Sequence, residues 1–186
     1  MKEPWLGRRR KSEMTLGGIY FWTSTINNWE KLLWPERFKI IIINSLTWLS
    51  EAALIDVFGF VIMPTHVHFI WRLNDFNGRE TAQASFLKYT AHEFRKLLLS
   101  EDPRKLKPYK VDSGKKQYEF WQRDPLAIRL YSWPVAFQKL NYIHKNPLAN
   151  HWQLVKHPCD YKYSSARFYD MDDRYFNFLR DLRGEF

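Results

Sequence analysis

Residues 56 to 73 read DVFGFVIM, then Pro64-Thr65, then HVHFIWRL. Two runs rich in β-branched and aromatic residues, parted by only two turn-type residues, predict an antiparallel hairpin of Asp56 to Met63 with His66 to Leu73. Side chains alternate along a strand, so Val67, Phe69, Trp71 and Leu73 form a continuous apolar row that needs covering. His66 and His68 share the opposite face, which is expected to point away from the core, with Cα atoms roughly 6 to 7 Å apart. Neutral imidazoles at that spacing can share one divalent ion. Two polar residues on a solvated strand face satisfy the same pattern, so the triplet alone leaves both readings open.

The flanking sequence supplies partners for this hairpin. Ile19 to Ile26 follows Gly17-Gly18, is β-branched and aromatic, and reads as a first strand closed by Asn27-Asn28. From Pro35 to Glu51, Phe38, Ile41, Ile42, Leu46 and Leu49 keep helical spacing, with Pro35 suited to the first turn. Arg79 to Leu99 carries Ala82, Phe86, Tyr89, Phe94 and Leu97 at a 3.6-residue period and predicts a second helix. Ser100 to Gln117 holds two prolines, a glycine and many Lys and Arg. It reads as a mobile basic loop that either touches phosphates or stays solvated. A fourth strand is expected between Glu119 and Leu130, around Phe120-Trp121 and Ile128 to Leu130.

The order strand, helix, strand, strand, helix, strand describes an α+β, ferredoxin-like βαββαβ domain. Its four-stranded antiparallel sheet has both helices on one face and the other face open. The chain has 186 residues, of which 45% are hydrophobic, enough for one sizeable core and short for two. Its net charge of +9 and 18% aromatic content, including nine Trp and ten Tyr, fit a polyanionic partner with bases that stack on rings. Basic, aromatic-rich proteins are also often simply soluble and well packed. A single cysteine, Cys159, excludes an internal disulfide framework and a Cys-rich zinc site and fits a reducing, cytoplasmic setting. The charged start, MKEPWLGRRRKSEM, has no apolar stretch of the signal-peptide kind, and no run approaches the ~20 apolar residues that span a bilayer. No G-x-x-x-x-G-K-[ST] loop is present, so no nucleotide triphosphate is expected.

A third helix is expected after Ser132 as N-cap, with Pro134 in its first turn and Pro147 ending it. At 100° per residue, Phe137, Leu140, Ile143 and His144 form an apolar stripe. Tyr142 and Asn146 lie together on nearly the opposite side, a phenol and a metal-capable amide oxygen one turn apart. His144, on the stripe, reads as a hydrogen-bonded structural histidine. His92, His151 and His157 show no ligand spacing.

Two segments, Met63-Pro64-Thr65-His66-Val67-His68-Phe69-Ile70 and Tyr142-Ile143-His144-Lys145-Asn146-Pro147, resemble the paired signatures of the REP-associated tyrosine transposases. That family belongs to the single-tyrosine HUH transposases, named for histidine, hydrophobic residue, histidine. Phe86-Leu87-Lys88-Tyr89, Phe120-Trp121-Gln122-Arg123 and Tyr163-Ser164-Ser165-Ala166 also look like family segments, in the right order, and the likeness runs from about Gly18 to Tyr169. The chain departs from the family pattern at Asn146, where many relatives carry Gln, at Thr65, where Asn is common, and at Leu148 to Trp152.

The resemblance implies a metal-dependent single-stranded DNA endonuclease and strand transferase that acts on hairpin-forming DNA. It carries His66, His68 and Asn146 over as ligands of Mg²⁺ or Mn²⁺, and Tyr142 as the nucleophile of a covalent 5′-phosphotyrosine intermediate. It further implies a bacterial protein acting on chromosomal DNA, as a monomer or a homodimer. Arg8, Arg9, Arg10 and Lys11 would form a DNA-gripping arm, and Lys88 and Arg123 would contact its backbone. The expected organisation is a basic arm over residues 1–17, a catalytic domain including the tyrosine helix over 18–150, and an extension over 151–186. Two other readings compete. A non-catalytic single-stranded DNA- or RNA-binding module would use an open ferredoxin-like sheet with exposed aromatics. A tyrosine-free H-x-H phosphodiesterase would give the histidines direct acid–base work but leaves the Tyr142 segment without a role.

Overall fold

A computed structural model of the protein describes residues 13–113 and 116–186; the Arg8 to Lys11 cluster lies outside them. The expected hairpin is present, with β2 (Ile55–Ile62) antiparallel to β3 (His66–Leu73). Its Met63-Pro64-Thr65 loop, one residue longer than expected, is tied down by hydrogen bonds from Met63 N–H to the His66 carbonyl, 2.8 Å, and from Ile26 N–H to the Thr65 carbonyl, 2.7 Å. β1 (Ile19–Thr25) pairs antiparallel with β3 on one side and with β8 (Leu126–Arg129) on the other. The resulting order is β2-β3-β1-β8, the expected split βαβ arrangement.

Helices α1 (Glu36–Glu51) and α2 (Ala82–Glu101) cover one face. Phe38, Ile42 and Leu46 of α1 and Phe86 and Phe94 of α2 pack there with Trp22, Val67, Phe69 and Trp71. The α2 stripe differs from the expected one. Thr90 and Leu98 are buried while Tyr89 is exposed. The polar Thr90 is accommodated because its hydroxyl accepts a hydrogen bond from the Trp121 indole N–H at 2.9 Å and donates to the Phe86 carbonyl at 2.8 Å.

Two small hairpins flank α2: β4 (Phe76–Asn77) with β5 (Glu80–Thr81), and β6 (Lys110–Ser113) with β7 (Lys116–Tyr118). The second, with a 3₁₀ segment at Pro103–Tyr109, replaces the loop expected over Ser100 to Gln117. Leu106 and Tyr109 anchor that segment by burying their side chains among the α1/α2 core. The fourth sheet strand is shorter than expected: Trp121 pairs with Ile26 only as an isolated bridge, residues 122–125 interrupt the ladder before β8, and Phe120 and Trp121 bury their side chains in this core.

The second sheet face is not open. Helix α3 (Trp133–Lys145) crosses it, and Ala136, Leu140 and Ile143 form a second core with Phe21, Phe58, Val61 and Ile70. Phe137, expected on this stripe, is exposed and packs on Trp133 instead, at 5.5 Å between rings. A bulge in β2 prepares the surface for α3: Val57 pairs with Trp71 and Gly59 with Ile70, leaving Phe58 unpaired. A Cβ on Gly59 would stand 2.8 Å from a Leu140 methyl and 3.1 Å from an Ile143 methyl, so only glycine lets the helix come this close.

The C-terminal stretch, including α4 (Ala166–Met171), folds back along the outer edge of β2. Backbone hydrogen bonds of 2.9 Å run from Ile62 N–H to Tyr163, from Ser165 N–H to Phe60 and from Arg180 N–H to Val57. They pair donors and acceptors that an edge strand would otherwise expose. No helix among the described residues is long and apolar enough to cross a membrane.

Candidate active site

Strand alternation places His66 and His68 on the α3 side of β3, with ring centroids 4.7 Å apart. Because α3 lies over that face, the histidines are 8% and 5% exposed and sit against a core, not in solvent as the strand pattern alone suggested. Each Nδ1 meets a threonine hydroxyl: Thr65 Oγ1 lies 3.0 Å from His66, and Thr23 Oγ1 lies 2.7 Å from His68. A hydroxyl that accepts from Nδ1–H fixes the tautomer that leaves the Nε2 lone pair free for a cation.

Burial also sets the charge state. It pushes His66 down to about 4, with His151 adding to the effect and the Asn146 amide opposing it. His68 is likewise held well below its ordinary value by burial, by His66 and by Lys139. Both rings are therefore neutral near pH 7, the form that ligates metal.

Helix α3 brings the second half of the site. The Tyr142 ring stands edge-on to His68 with centroids 5.3 Å apart and to Phe21 at 5.9 Å, yet the residue is 50% exposed. One turn later Asn146 caps the helix, with its side-chain nitrogen 3.4 Å from His68 Nε2. Its Oδ1 is buried without a hydrogen-bond partner. A buried acceptor with no donor, beside two neutral imidazoles that meet the same amide group, is a donor set that fits a divalent cation. Among the described residues no cluster of three or more His, Cys, Asp or Glu competes with it. A cation held by three such neutral groups would keep coordination positions for phosphate oxygens and water.

Several neighbours have no signature in the sequence. Phe21 stacks on His68 at 5.3 Å between centroids, and Lys139 places its ammonium 5.0 Å from the Phe21 ring and 6.0 Å from that of Tyr142. Thr23 is opposite His68 only because of the β1–β3 register, which no local pattern reveals. Thr65 did stand out as a departure from the family pattern, and its role here is to hold His66. His144 has the expected structural part: its Nε2 lies 2.8 Å from Ser165 Oγ, which also takes a 3.0 Å hydrogen bond from Phe60 N–H, locking α3 to β2.

Lys88 is carried by α2, on the other face of the sheet, with its ammonium 2.7 Å from Glu80. Arg123 is paired with Glu119 at 3.1 Å. Neither is drawn to the histidines.

In a search of solved structures, one match is the REP-associated tyrosine transposase bound to a REP hairpin, with a TM-score of 0.56. The alignment covers 90% of this chain and 84% of that one, at 18% sequence identity. The chain has the fold of that transposase. No protein-family model and no curated protein matches the sequence. Within the transposase fold, the residues that meet at one place are His66, His68, Tyr142 and Asn146, and all four come from the same chain.

Proposed function

We propose that the protein is a divalent-metal-dependent single-stranded DNA endonuclease and strand transferase of the transposase type, acting on hairpin-forming DNA with Tyr142 as nucleophile. The observation that carries this reading is the meeting of a half-exposed phenol with two neutral imidazoles and an unpartnered buried amide oxygen. A Mg²⁺ or Mn²⁺ ion held by His66, His68 and Asn146 would polarise a phosphoryl oxygen and offset the charge that develops on attack.

The chain's own residues do the rest. Tyr142 Oη gives up its proton to solvent and forms a bond to phosphorus while the bond from phosphorus to the 3′ oxygen breaks. The departing oxygen takes a proton and becomes a free 3′-OH, and the 5′ phosphate stays esterified to Tyr142. The ester keeps the free energy of the original bond. The 3′-OH of another strand therefore reverses the step, joining that strand and restoring the phenol without ATP. Lys139, adjacent to both rings, adds positive charge where an anionic strand approaches. With one nucleophile, Tyr142, each site makes one cut at a time.

A purely binding module would need the open sheet face, and α3 lies across it. The decisive experiment incubates the protein with labelled single-stranded hairpin DNA and Mn²⁺ and isolates a protease-resistant tyrosine adduct. Loss of the adduct in Tyr142→Phe supports the reading; no adduct across a broad panel of hairpins, or one that survives Tyr142→Phe, removes it.

A further inference from the structure

The segment that closes β1 carries a backbone that asparagine tolerates at Asn28 but that Trp29 disfavours. Asn28 and Trp29 both have positive φ, 55° and 56°, in a region that a bulky side chain rarely enters. The turn is nonetheless fastened at several points. Trp29 N–H donates to the Ile26 carbonyl at 3.0 Å, Asn27 N–H to the Phe120 carbonyl at 2.7 Å, and the Asn28 amide to the Pro108 carbonyl at 3.4 Å.

This conformation holds an indole in solvent beside the candidate metal pair. Trp29 is 61% exposed, and its ring meets that of His66 edge-on with centroids 6.3 Å apart. Core packing does not account for a large ring left exposed by a disfavoured backbone. The same segment presents a second exposed indole, Trp34, with the Lys31 ammonium 5.7 Å from its ring. Exposed rings interleaved with cations are what a single strand needs, since it offers phosphates and flat base faces in alternation.

We propose that Trp29 is a base-stacking subsite, taking the unpaired nucleobase next to the phosphate that sits at His66 and His68. The proposal rests on the DNA-processing reading for the nature of the polymer. Every base has a π face, so Trp29 selects an unstacked, single-stranded nucleotide over a duplex one without choosing among bases.

The test uses the full chain in EDTA, so that binding is read without cleavage, with a ~15-nucleotide oligothymidylate as probe. Trp29→Ala is expected to weaken binding by about 5- to 150-fold, the loss of one base–aromatic stack, while Trp29→Phe keeps most of the affinity. An abasic strand of the same length is expected to bind wild type and Trp29→Ala alike. Unchanged oligothymidylate affinity in Trp29→Ala, an equal loss on the abasic strand, or no binding by wild type overturns the proposal. Tryptophan emission gives a second reading independent of whether the alanine variant folds. The quench produced by saturating oligothymidylate in wild type must shrink in Trp29→Phe, and an unchanged quench overturns the proposal as well. Adduct formation at Tyr142 is scored separately, so a chain that stacks DNA but never cuts it keeps this subsite and loses the activity.

Discussion

The side-chain nitrogen of Asn146 lies 3.4 Å from Nε2 of His68, across 78 positions of sequence, and the amide oxygen beside it is buried with no partner. A buried acceptor left unpaired costs free energy that a bound cation would recover. Mn²⁺ titration by calorimetry is expected to show one site in the wild type. That site should be lost in His66→Ala and His68→Ala and weakened in Asn146→Ala. Undiminished Mn²⁺ affinity in His68→Ala would remove the metal role of the histidine pair.

Thr23 and Thr65 act one step further out. Each hydroxyl orients a ring through Nδ1, and partners of this kind typically contribute 10- to 100-fold in metal affinity. Thr23→Val, which keeps the shape and removes the hydroxyl, is expected to lower Mn²⁺ affinity by about that factor while leaving the thermal midpoint close to wild type. Equal affinities in the two proteins would reduce Thr23 to a packing residue.

Gly59 sets the distance between α3 and the sheet. Gly59→Ala forces a methyl against Leu140 and Ile143 and is expected to cost about 1–3 kcal/mol in urea unfolding, as overpacked cores do. Because Tyr142 and Asn146 ride on the displaced helix, adduct formation should fall more steeply than stability. Adding Leu140→Val, which removes volume at the contact, should restore part of both. A Gly59→Ala protein with full stability and activity would contradict the close approach.

The buried histidines also make metal-free stability depend on pH. Burial holds His66 and His144 at about 4, below the ordinary value near 6.5. Between those values the unfolded chain binds protons that the folded chain does not, so stability is complete above pH ~6.5 and falls as the pH drops towards ~4. Each ring accounts for roughly 3 kcal/mol at most. Urea unfolding in EDTA near pH 7 and near pH 5 reads the difference, and His144→Gln should flatten it. A profile identical in wild type and His144→Gln would show that His144 does not contribute.

Much of this architecture is legible in local pattern. The Pro64-Thr65 break between two strand-like runs determines the hairpin, and period two puts His66 and His68 on one face because side chains alternate along a strand. Helical period puts Tyr142 and Asn146 on one side of α3, away from Leu140 and Ile143. Such periods state which residues share a face but carry no record of what covers it. That is why the histidines were expected in solvent and Phe137 in the core. Only the tertiary structure decided that α3 crosses the second sheet face, that the β1 register sets Thr23 against His68, and that Gly59 admits the helix closely enough for Tyr142 to reach the pair. Those relationships join residues far apart in the chain. They are fixed by the packing of whole elements, which acts on volume and distance and not on sequence spacing.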